Sequence, residues 1–457
     1  MTQPIDRRTF LKQTTATGLG LGVIGRMPEW SAGAPSDRVV VAVMGVNGRG
    51  RVLAQTFAKS ANTEVAYICD VDERATEKAI AAVSEPQAIQ GETGRIPTLQ
   101  EKRPQGVTDV RRVLEDKTVD ALVIAAPDHW HAFAAVLALQ AGKHVYVEKP
   151  GSHNPHEAVW LANSQQKYER IVQMGNQQRS APRSIQIIKE IHGGIIGRPY
   201  YARAWYANTR KSIGRGKPAE VPDWLDYELW QGPAPRTPYR DNVVHYNWHW
   251  FWRWGTGEIN NNASHEIDIS RWALQVDLPF HVTSSGGRYH FEDDWEAFDT
   301  QVASYDFEGD KTITWEGRSC NGRFIEGRSR GTSIHGEKGT VVMDRSGYVV
   351  FDNDNNEIKR DIYAKPESAL DTSGEGRLTD LHAANFLESI RGKEKPRSSI
   401  EDAYKGVLMC HLGNIAQRTG RALGCDPKTG RILDDAEAMK YWSREYEPGW
   451  EGIFKNA

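Results

Sequence analysis

Apolar and polar positions divide the 457-residue chain into two patterns. Val39–Met44 is an unbroken apolar run, as in a parallel strand buried on both faces. The run Gly45-Val46-Asn47-Gly48-Arg49-Gly50 follows, then a helical stretch carrying Val52, Leu53 and Phe57. Thr63–Cys69 predicts a second strand, which ends at Asp70. A helix is expected over Asp109–Glu115, a buried strand over Ala121–Ala126, a helix over His131–Ala141 stopped by Gly142, and a strand over His144–Glu148. Strands alternating with helices imply βαβ units and a parallel sheet. Residues 84–107, with several Gly and Pro, read as a surface excursion.

After Pro150 the pattern changes. Helices are expected over about His156–Arg170 and Pro182–His192, with the apolar stretch Ile171–Met174 between them. Alternating segments follow at Tyr200–Tyr206, Phe280–Tyr289, Thr300–Phe307, Lys311–Glu316, Gly331–His335, Gly339–Asp344 and Tyr348–Phe351. Gly-containing turns separate most of them, which predicts an antiparallel sheet. Leu378–Arg391 and Ser398–Arg418 read as helices, with Ser398 and Glu401 spaced as a capping box. The fold class is therefore α/β plus α+β. A doubly wound, Rossmann-type domain is expected over 35–152. A domain built on an open, mostly antiparallel sheet with C-terminal helices is expected over 153–457.

Residues 1–34 stand apart. Arg7-Arg8-Thr9-Phe10-Leu11-Lys12, a weakly apolar Gly-rich stretch from Thr14 to Gly25 and Ala32-Gly33-Ala34 read in order as a twin-arginine export signal with a small-residue cleavage site. The apolar stretch is too short to span a bilayer, so no membrane insertion is expected after cleavage. The expected location is the periplasm, or another compartment outside the cytoplasm reached by the twin-arginine route. The twin-arginine route moves folded proteins, so a cofactor would be acquired beforehand and held tightly. The whole chain has a net charge of −3, which gives no reason to expect nucleic acid as a partner. Cys69, Cys320, Cys410 and Cys425 show no metal-type spacing, and no metal is expected.

A dinucleotide site needs a tight turn that brings backbone N–H groups onto a pyrophosphate at a helix N-terminus. Gly45, Gly48 and Gly50, with Asn47 and Arg49 between them, lie where that turn must be. Their G-x-x-G-x-G spacing varies from the common fingerprint. Asp70, at the end of the second strand, is placed to accept hydrogen bonds from ribose hydroxyls. That favours NAD, while nearby Arg74 leaves NADP open.

Ala126-Pro127-Asp128-His129-Trp130-His131 and Ala141-Gly142-Lys143-His144-Val145-Tyr146-Val147-Glu148-Lys149-Pro150 resemble the glucose-fructose oxidoreductase / inositol dehydrogenase / rhizopine catabolism (Gfo/Idh/MocA) family. The resemblance runs from about residue 38 to 345 and implies a Rossmann domain joined to an α/β domain whose open sheet faces the cofactor. It places Pro127, His131 and Glu148 beside the cofactor. Lys149 becomes the group that bonds the reacting oxygen. It implies that His265, in Gly257–Asp268, is an acid/base. The family carries an aspartate four residues before that histidine, and this chain has Asn261, which cannot ionise but can hold a substrate hydroxyl. Asp268, one turn on, is a candidate to orient the imidazole. The resemblance also brings Asn176, Gln178 and Arg179 towards the substrate.

In His245–Gly255 the residues Trp248, Trp250, Trp252 and Trp254 alternate and would share one face of a strand. Trp248 and His249 are candidates for contact with a pyranose ring, and the rest of the run for packing. His245 and His249 alone are a weak metal signal. These residues point to a carbohydrate oxidoreductase, with association of copies expected through the outer sheet face. The alternative is redox-neutral glycoside cleavage by transient oxidation and elimination. A binding protein without catalysis would be expected to lose Lys149, His265 or the glycines, and all are present.

Overall fold

The computed structural model describes residues 37–88, 95–363, 378–450 and 452–455. The candidate export signal lies outside them. The apolar run Val39–Met44 is β1, and Thr63–Cys69 is β2. Helix α1 (Arg49–Ala58) joins them, burying Leu53, Ala54 and Phe57 against the sheet. Helix α2 (Glu73–Ser84) follows, and the short strands β3 (Gln87–Ala88) and β4 (Arg95–Ile96) pair antiparallel. Strand β5 (Gln105–Val107) then joins the edge of β2, so the surface excursion returns to the sheet before it ends. Helix α3 (Val110–Glu115), β6 (Ala121–Ile124), α4 (Asp128–Gln140) and β7 (His144–Val147) complete the expected alternation. Helix α4 starts three residues before the expected His131, because Pro127 fixes the chain just ahead of it.

The parallel sheet has the order β5-β2-β1-β6-β7-β8, where β8 is Val172–Met174 and follows α5 (Pro155–Tyr168). Hence the doubly wound sheet runs past residue 152, and the expected division there cuts through it. The strand order reverses between β1 and β6, and such a switch point opens a crevice at the strand C-termini.

After α6 (Pro182–His192), β9 (Pro199–Ala207) starts a second sheet. It gathers β10 (His281–Gly287), β11 (Thr300–Phe307), β12 (Lys311–Arg318), β13 (Arg330–Gly336), β14 (Gly339–Asp344), β15 (Gly347–Asp352), β16 (Glu357–Ile362) and β17 (Leu423–Gly424). Its nine strands run β16-β15-β14-β13-β9-β12-β11-β10-β17, antiparallel except for β9 beside β12. Strand β16 is too polar to be recognised by alternation. Helix α7 (Tyr227–Gln231) lies in the long insertion after β9, and α8 (Ser264–Leu274) packs its Ile267, Ile269 and Leu274 onto the sheet.

The C-terminal helices do not belong to one layer. Helix α9 (Leu378–Ile390) returns to the first domain, where Phe386 packs edge-on to Phe57 and Tyr146. Helix α10 (Ile400–Thr419) reaches both cores. The Ser398–Glu401 capping box does not form. Ser399 is the N-cap residue, and the Ser398 carbonyl accepts from Met174 of β8 instead.

Arg179 ties these parts together. It forms a two-pronged ion pair with Asp268 of α8 (2.7 and 2.8 Å) and a third bond to Asp402 of α10 (3.0 Å), and its guanidinium lies over Trp272. Arg179 is 8% exposed and Asp268 is 2% exposed. Removing one partner of such a pair leaves a buried charge alone, which costs about 3–5 kcal/mol. Arg179→Ala is therefore expected to lose about that much stability in urea unfolding, and an unchanged midpoint would reject this role.

Candidate active site

A cavity of about 540 Å³ opens at the switch point between β1 and β6, within the size range of small-molecule sites. The first domain supplies its floor. Gly45 donates its N–H to the Cys69 carbonyl and has φ +80°, a left-handed conformation that glycine adopts without strain. A Cβ there would fall 2.4 Å from the Ala126 nitrogen. Gly48 has open space around it, while Gly50 packs beneath the turn, where a Cβ would meet the Gly45 carbonyl oxygen at 2.0 Å. Gly45, Asn47, Gly48 and Arg49 line the cavity, and Gly50 shapes the turn from below. Helix α1 begins at Arg49 without a side-chain cap, so its first N–H groups are available to an anion.

Asp70 accepts from the Val46 N–H at 2.6 Å and the Asp72 N–H at 3.0 Å. Burial pushes its carboxyl up, and these two backbone bonds oppose that. Each carboxylate oxygen keeps a lone pair for a ribose hydroxyl. Arg74, which could have met a 2′-phosphate, is paired with Asp72 and lies 3.4 Å over the Trp224 ring. The turn, the open helix end and Asp70 fit a dinucleotide.

The insertion after β9 covers this end of the cavity. Glu73 donates its N–H to the Trp224 carbonyl, Asp226 to Val71, and His245 bonds Asp72 at 2.9 Å. Trp230, His245 and Tyr246 from the insertion face the cavity. The expected tryptophan strand does not form: Asn247–Trp250 is a 3₁₀ turn, and the four rings part. Trp250 stacks on Trp295 at 3.9 Å, Trp254 packs against Trp230, and Trp252 meets Phe298. With no neighbouring strand to pair its backbone, the run follows its ring packing instead. Trp248 does line the cavity, stacked on His249 with centroids 3.6 Å apart. His245 and His249 have separate partners, Asp72 and the Tyr246 carbonyl.

At the other end stands Lys149. Its Nζ donates to the Asn261 carbonyl at 2.8 Å and to the Asn261 Oδ1 at 2.7 Å. Asn261 lies in a π-helical turn, Ile259–Ala263, that leads into α8. Its Nδ2 donates to Glu258, which turns the Oδ1 towards the lysine. Asn261 also lines the cavity, so it positions Lys149 at the place where the expected contact with a substrate hydroxyl would be made. Burial lowers the Lys149 ammonium to about 8, with Glu148 and Asp128 opposing the shift.

His265 lines the cavity, and its imidazole has no hydrogen-bond partner among the described residues. Burial first, then Arg345, Arg330, Lys149 and Arg49, push it well below the usual histidine range, so the ring is neutral. Asp268 does not orient it, being committed to Arg179. Asn176, Gln178 and Arg179 are buried away from the cavity. The residue that reaches the cavity from that segment is Gln177, which bonds Glu148 and Tyr146.

Pro127, His131 and Glu148 also line the cavity, with largely structural roles. His131 bonds the Ala126 carbonyl through Nε2 and accepts from the Gly151 N–H through Nδ1, which ties the two motifs together. Glu148 holds Arg49 at 2.8 Å. Residues not singled out in the sequence include Asp128, Arg330, Arg345 and Thr379. Asp128 sits inside a quoted motif. The two arginines lie at a strand start and in a turn, with no local signal.

A family model described as "Oxidoreductase family, NAD-binding Rossmann fold" matches residues 39–176. One described as "Oxidoreductase family, C-terminal alpha/beta domain" matches residues 201–451. A glycosyl hydrolase family 109 protein of Saccharopolyspora erythraea is 25% identical over 241 residues, 48% of this chain and 50% of that one. An alpha-N-acetylgalactosaminidase of Shewanella oneidensis is 23% identical over 225 residues, 44% and 46% of the two chains. The chain thus spans about half the length of the curated relatives it matches. Among solved structures, levoglucosan dehydrogenase with NADH and levoglucosan superposes with a TM-score of 0.63 at 18% identity, covering 87% of this chain and all of that one. The WlbA dehydrogenase of Bordetella pertussis with NADH and UDP-GlcNAcA gives 0.60 at 19%, covering 85% and 99%. These last two likenesses concern the fold. With both of its domains matched, the chain belongs to the Gfo/Idh/MocA family of NAD-binding oxidoreductases.

Proposed function

We propose that the protein moves hydride between a secondary hydroxyl of a sugar or polyol and a nicotinamide cofactor retained in the cavity. The observation that carries this reading is the pair of hydrogen bonds from Lys149 to Asn261, made beside His265 in the cavity. Bound NAD supplies the hydride acceptor for a carbinol carbon. A neutral lysine amine has two N–H bonds and one lone pair. Asn261 accepts both N–H bonds, and the lone pair remains for the proton of a substrate hydroxyl. With its ammonium at about 8, roughly one Lys149 in ten is in that form at pH 7. In the reverse direction the third N–H of the ammonium donates to a carbonyl oxygen. Neutral His265 is left to accept a second proton or hold a neighbouring hydroxyl. The Trp248 face suits the apolar C–H face of a pyranose. The two dehydrogenases of similar fold are complexed with levoglucosan and with UDP-GlcNAcA, which supports the same substrate class.

The insertion over the cofactor end supports retention of NAD. Retention suits twin-arginine export to the periplasm of a folded, loaded enzyme, which belongs to the same proposal. Association of copies through the open face of the nine-stranded sheet does too.

A second reading has its own support, because two acid–base groups face one cavity and sequence relatives carry glycosidase names. In redox-neutral cleavage, transient oxidation acidifies the adjacent C–H. One of the two groups removes that proton and the aglycone leaves with a proton from the other; water then adds to the double bond and the hydride returns to the carbonyl carbon, so that no net oxidation remains.

Protein purified without added nucleotide is expected to release NAD on denaturation. If it binds neither NAD nor NADP even when these are supplied, the proposal fails. With mixed glycosides and no added NAD, aglycone release without net reduction selects cleavage. Turnover that waits for an acceptor sugar selects net oxidation. Lys149→Met is expected to lower kcat by at least about 10²-fold while NAD stays bound.

The pH dependence tests the lysine directly. The rate of oxidation should rise with pH through a midpoint near 8, as Lys149 loses its proton. A carboxylate beside an ammonium favours the charged form, so Asn261→Asp should move that midpoint upward. A midpoint that stays in place, or moves down, would remove Lys149 from proton transfer.

A further inference from the structure

Hydride transfer does not call for an aromatic ring at the cavity mouth, yet one stands there. Tyr246 lines the cavity and is still 52% exposed. Its neighbour His245 bonds Asp72 at the cofactor end. Tyr246 turns the other way, and its hydroxyl accepts from Arg210 at 2.8 Å. Its backbone has φ +80° and ψ −49°, a conformation that a bulky side chain rarely adopts. The surroundings hold it there. The Tyr246 carbonyl accepts from the His249 backbone N–H at 3.3 Å and from the His249 Nδ1 at 2.5 Å, and the two rings meet at 4.8 Å. Strain of this kind gathers at active sites and ligand clamps. A ring left half in water recovers little of that strain by its own burial.

Arg210 does more than hold the ring. It makes a two-pronged ion pair with buried Glu258 at 2.6 and 3.1 Å, with its guanidinium 4.8 Å over the Trp250 ring. Glu258 in turn accepts from the Asn261 Nδ2 at 3.3 Å and from Ser319 at 2.9 Å. Asn261 is the residue whose Oδ1 accepts from Lys149. Tyr246 is thus joined to Lys149 side chain by side chain, through Arg210, Glu258 and Asn261. The ring at the mouth and the group at the reacting oxygen therefore keep a fixed spacing. Trp248, stacked on His249, already gives the cavity an inner aromatic face for one sugar ring. Tyr246 offers a second face, further out.

We propose that Tyr246 is the outer wall of an aglycone subsite, so that the carbohydrate held at Lys149 is a glycoside whose second ring, a sugar or an aryl group, lies against the Tyr246 face. This rests on the carbohydrate reading above and holds for oxidation and for cleavage alike.

The test compares free, methyl, phenyl and disaccharide members of the gluco, galacto and N-acetylhexosamine series as substrates of the NAD-loaded enzyme. Phenyl glycosides or disaccharides are expected to exceed their methyl counterparts in kcat/KM by at least about tenfold, and which class does so identifies the second ring. Tyr246→Gly removes the ring and keeps the turn, because glycine adopts a positive φ without strain. It should cut that ratio by about tenfold, whereas Tyr246→Phe should keep most of it, since the ring face remains. If Tyr246→Gly does not fold, Tyr246→Leu, which keeps bulk without a flat face, is read in its place. Phenol leaves more readily than methanol, but equally so in every variant, so the change in the ratio reads the contact itself. A ring with only a structural role would lower all substrates alike. A native ratio near one, or a ratio unchanged in Tyr246→Gly, overturns the subsite. Turnover of free and methyl sugars alone overturns the subsite and leaves the oxidoreductase standing, whereas no turnover in any series removes both.

Discussion

The structure turns on a buried lysine held by an uncharged partner. Lys149 comes from the end of the parallel sheet, and Asn261 from the π-helical turn that leads into the second domain. Two hydrogen bonds join them across the domain boundary. An aspartate at 261 would satisfy the ammonium and fix it in the charged form. The amide satisfies the N–H groups without adding a charge, so burial wins and the lysine sits where it can gain or lose a proton. The geometry of both domains must be held to keep this contact. Arg179, bonded to α8 and α10, and His131, bonded to both cofactor-side motifs, do that holding.

Asp72 plays the matching part at the cofactor end. It caps α2, accepts from Arg74 and meets His245 of the insertion. The lysine end is assembled between two domains, whereas the cofactor end is a Rossmann crevice closed by a segment of the partner domain. The insertion thus covers the cofactor end, while the lysine end is built by the strands and helices on either side of it. Its aromatic rings earn their number by packing with one another as well as by facing the cavity. Trp230, Trp250 and Trp254 are buried, and Trp248 stands at the cavity wall.

Continuous apolar runs made the parallel sheet legible almost residue by residue, as with Val39–Met44 and Thr63–Cys69, because strands buried on both faces leave no polar position to confuse the reading. Alternation served the second sheet equally well until β16, whose charged positions carry no such signal. The glycine turn, Asp70, Lys149 and His265 could be read because each sits at a fixed offset from a strand end or in a family motif. Arg330 and Arg345 could not. They reach the cavity only through the pairing of β13, β14 and β15, which no local pattern reports. Arg179 was misplaced for the opposite reason: its segment does approach the cavity, but a buried carboxylate on α8 claims its guanidinium and Gln177 takes the position instead. The tryptophan run shows the limit of periodicity, since spacing of two fits a strand only where a partner strand exists.

The uncharged Asn261 sets the charge balance at Lys149. A carboxylate at 261 would offset Lys149 and fill the space with protein charge. With asparagine there, Lys149 is opposed by Glu148 and Asp128, and Asp128 itself is held near neutrality by burial. Burial, with the neighbouring arginines adding to it, lowers Lys149 and keeps His265 neutral, so both groups owe their state first to the space that encloses them.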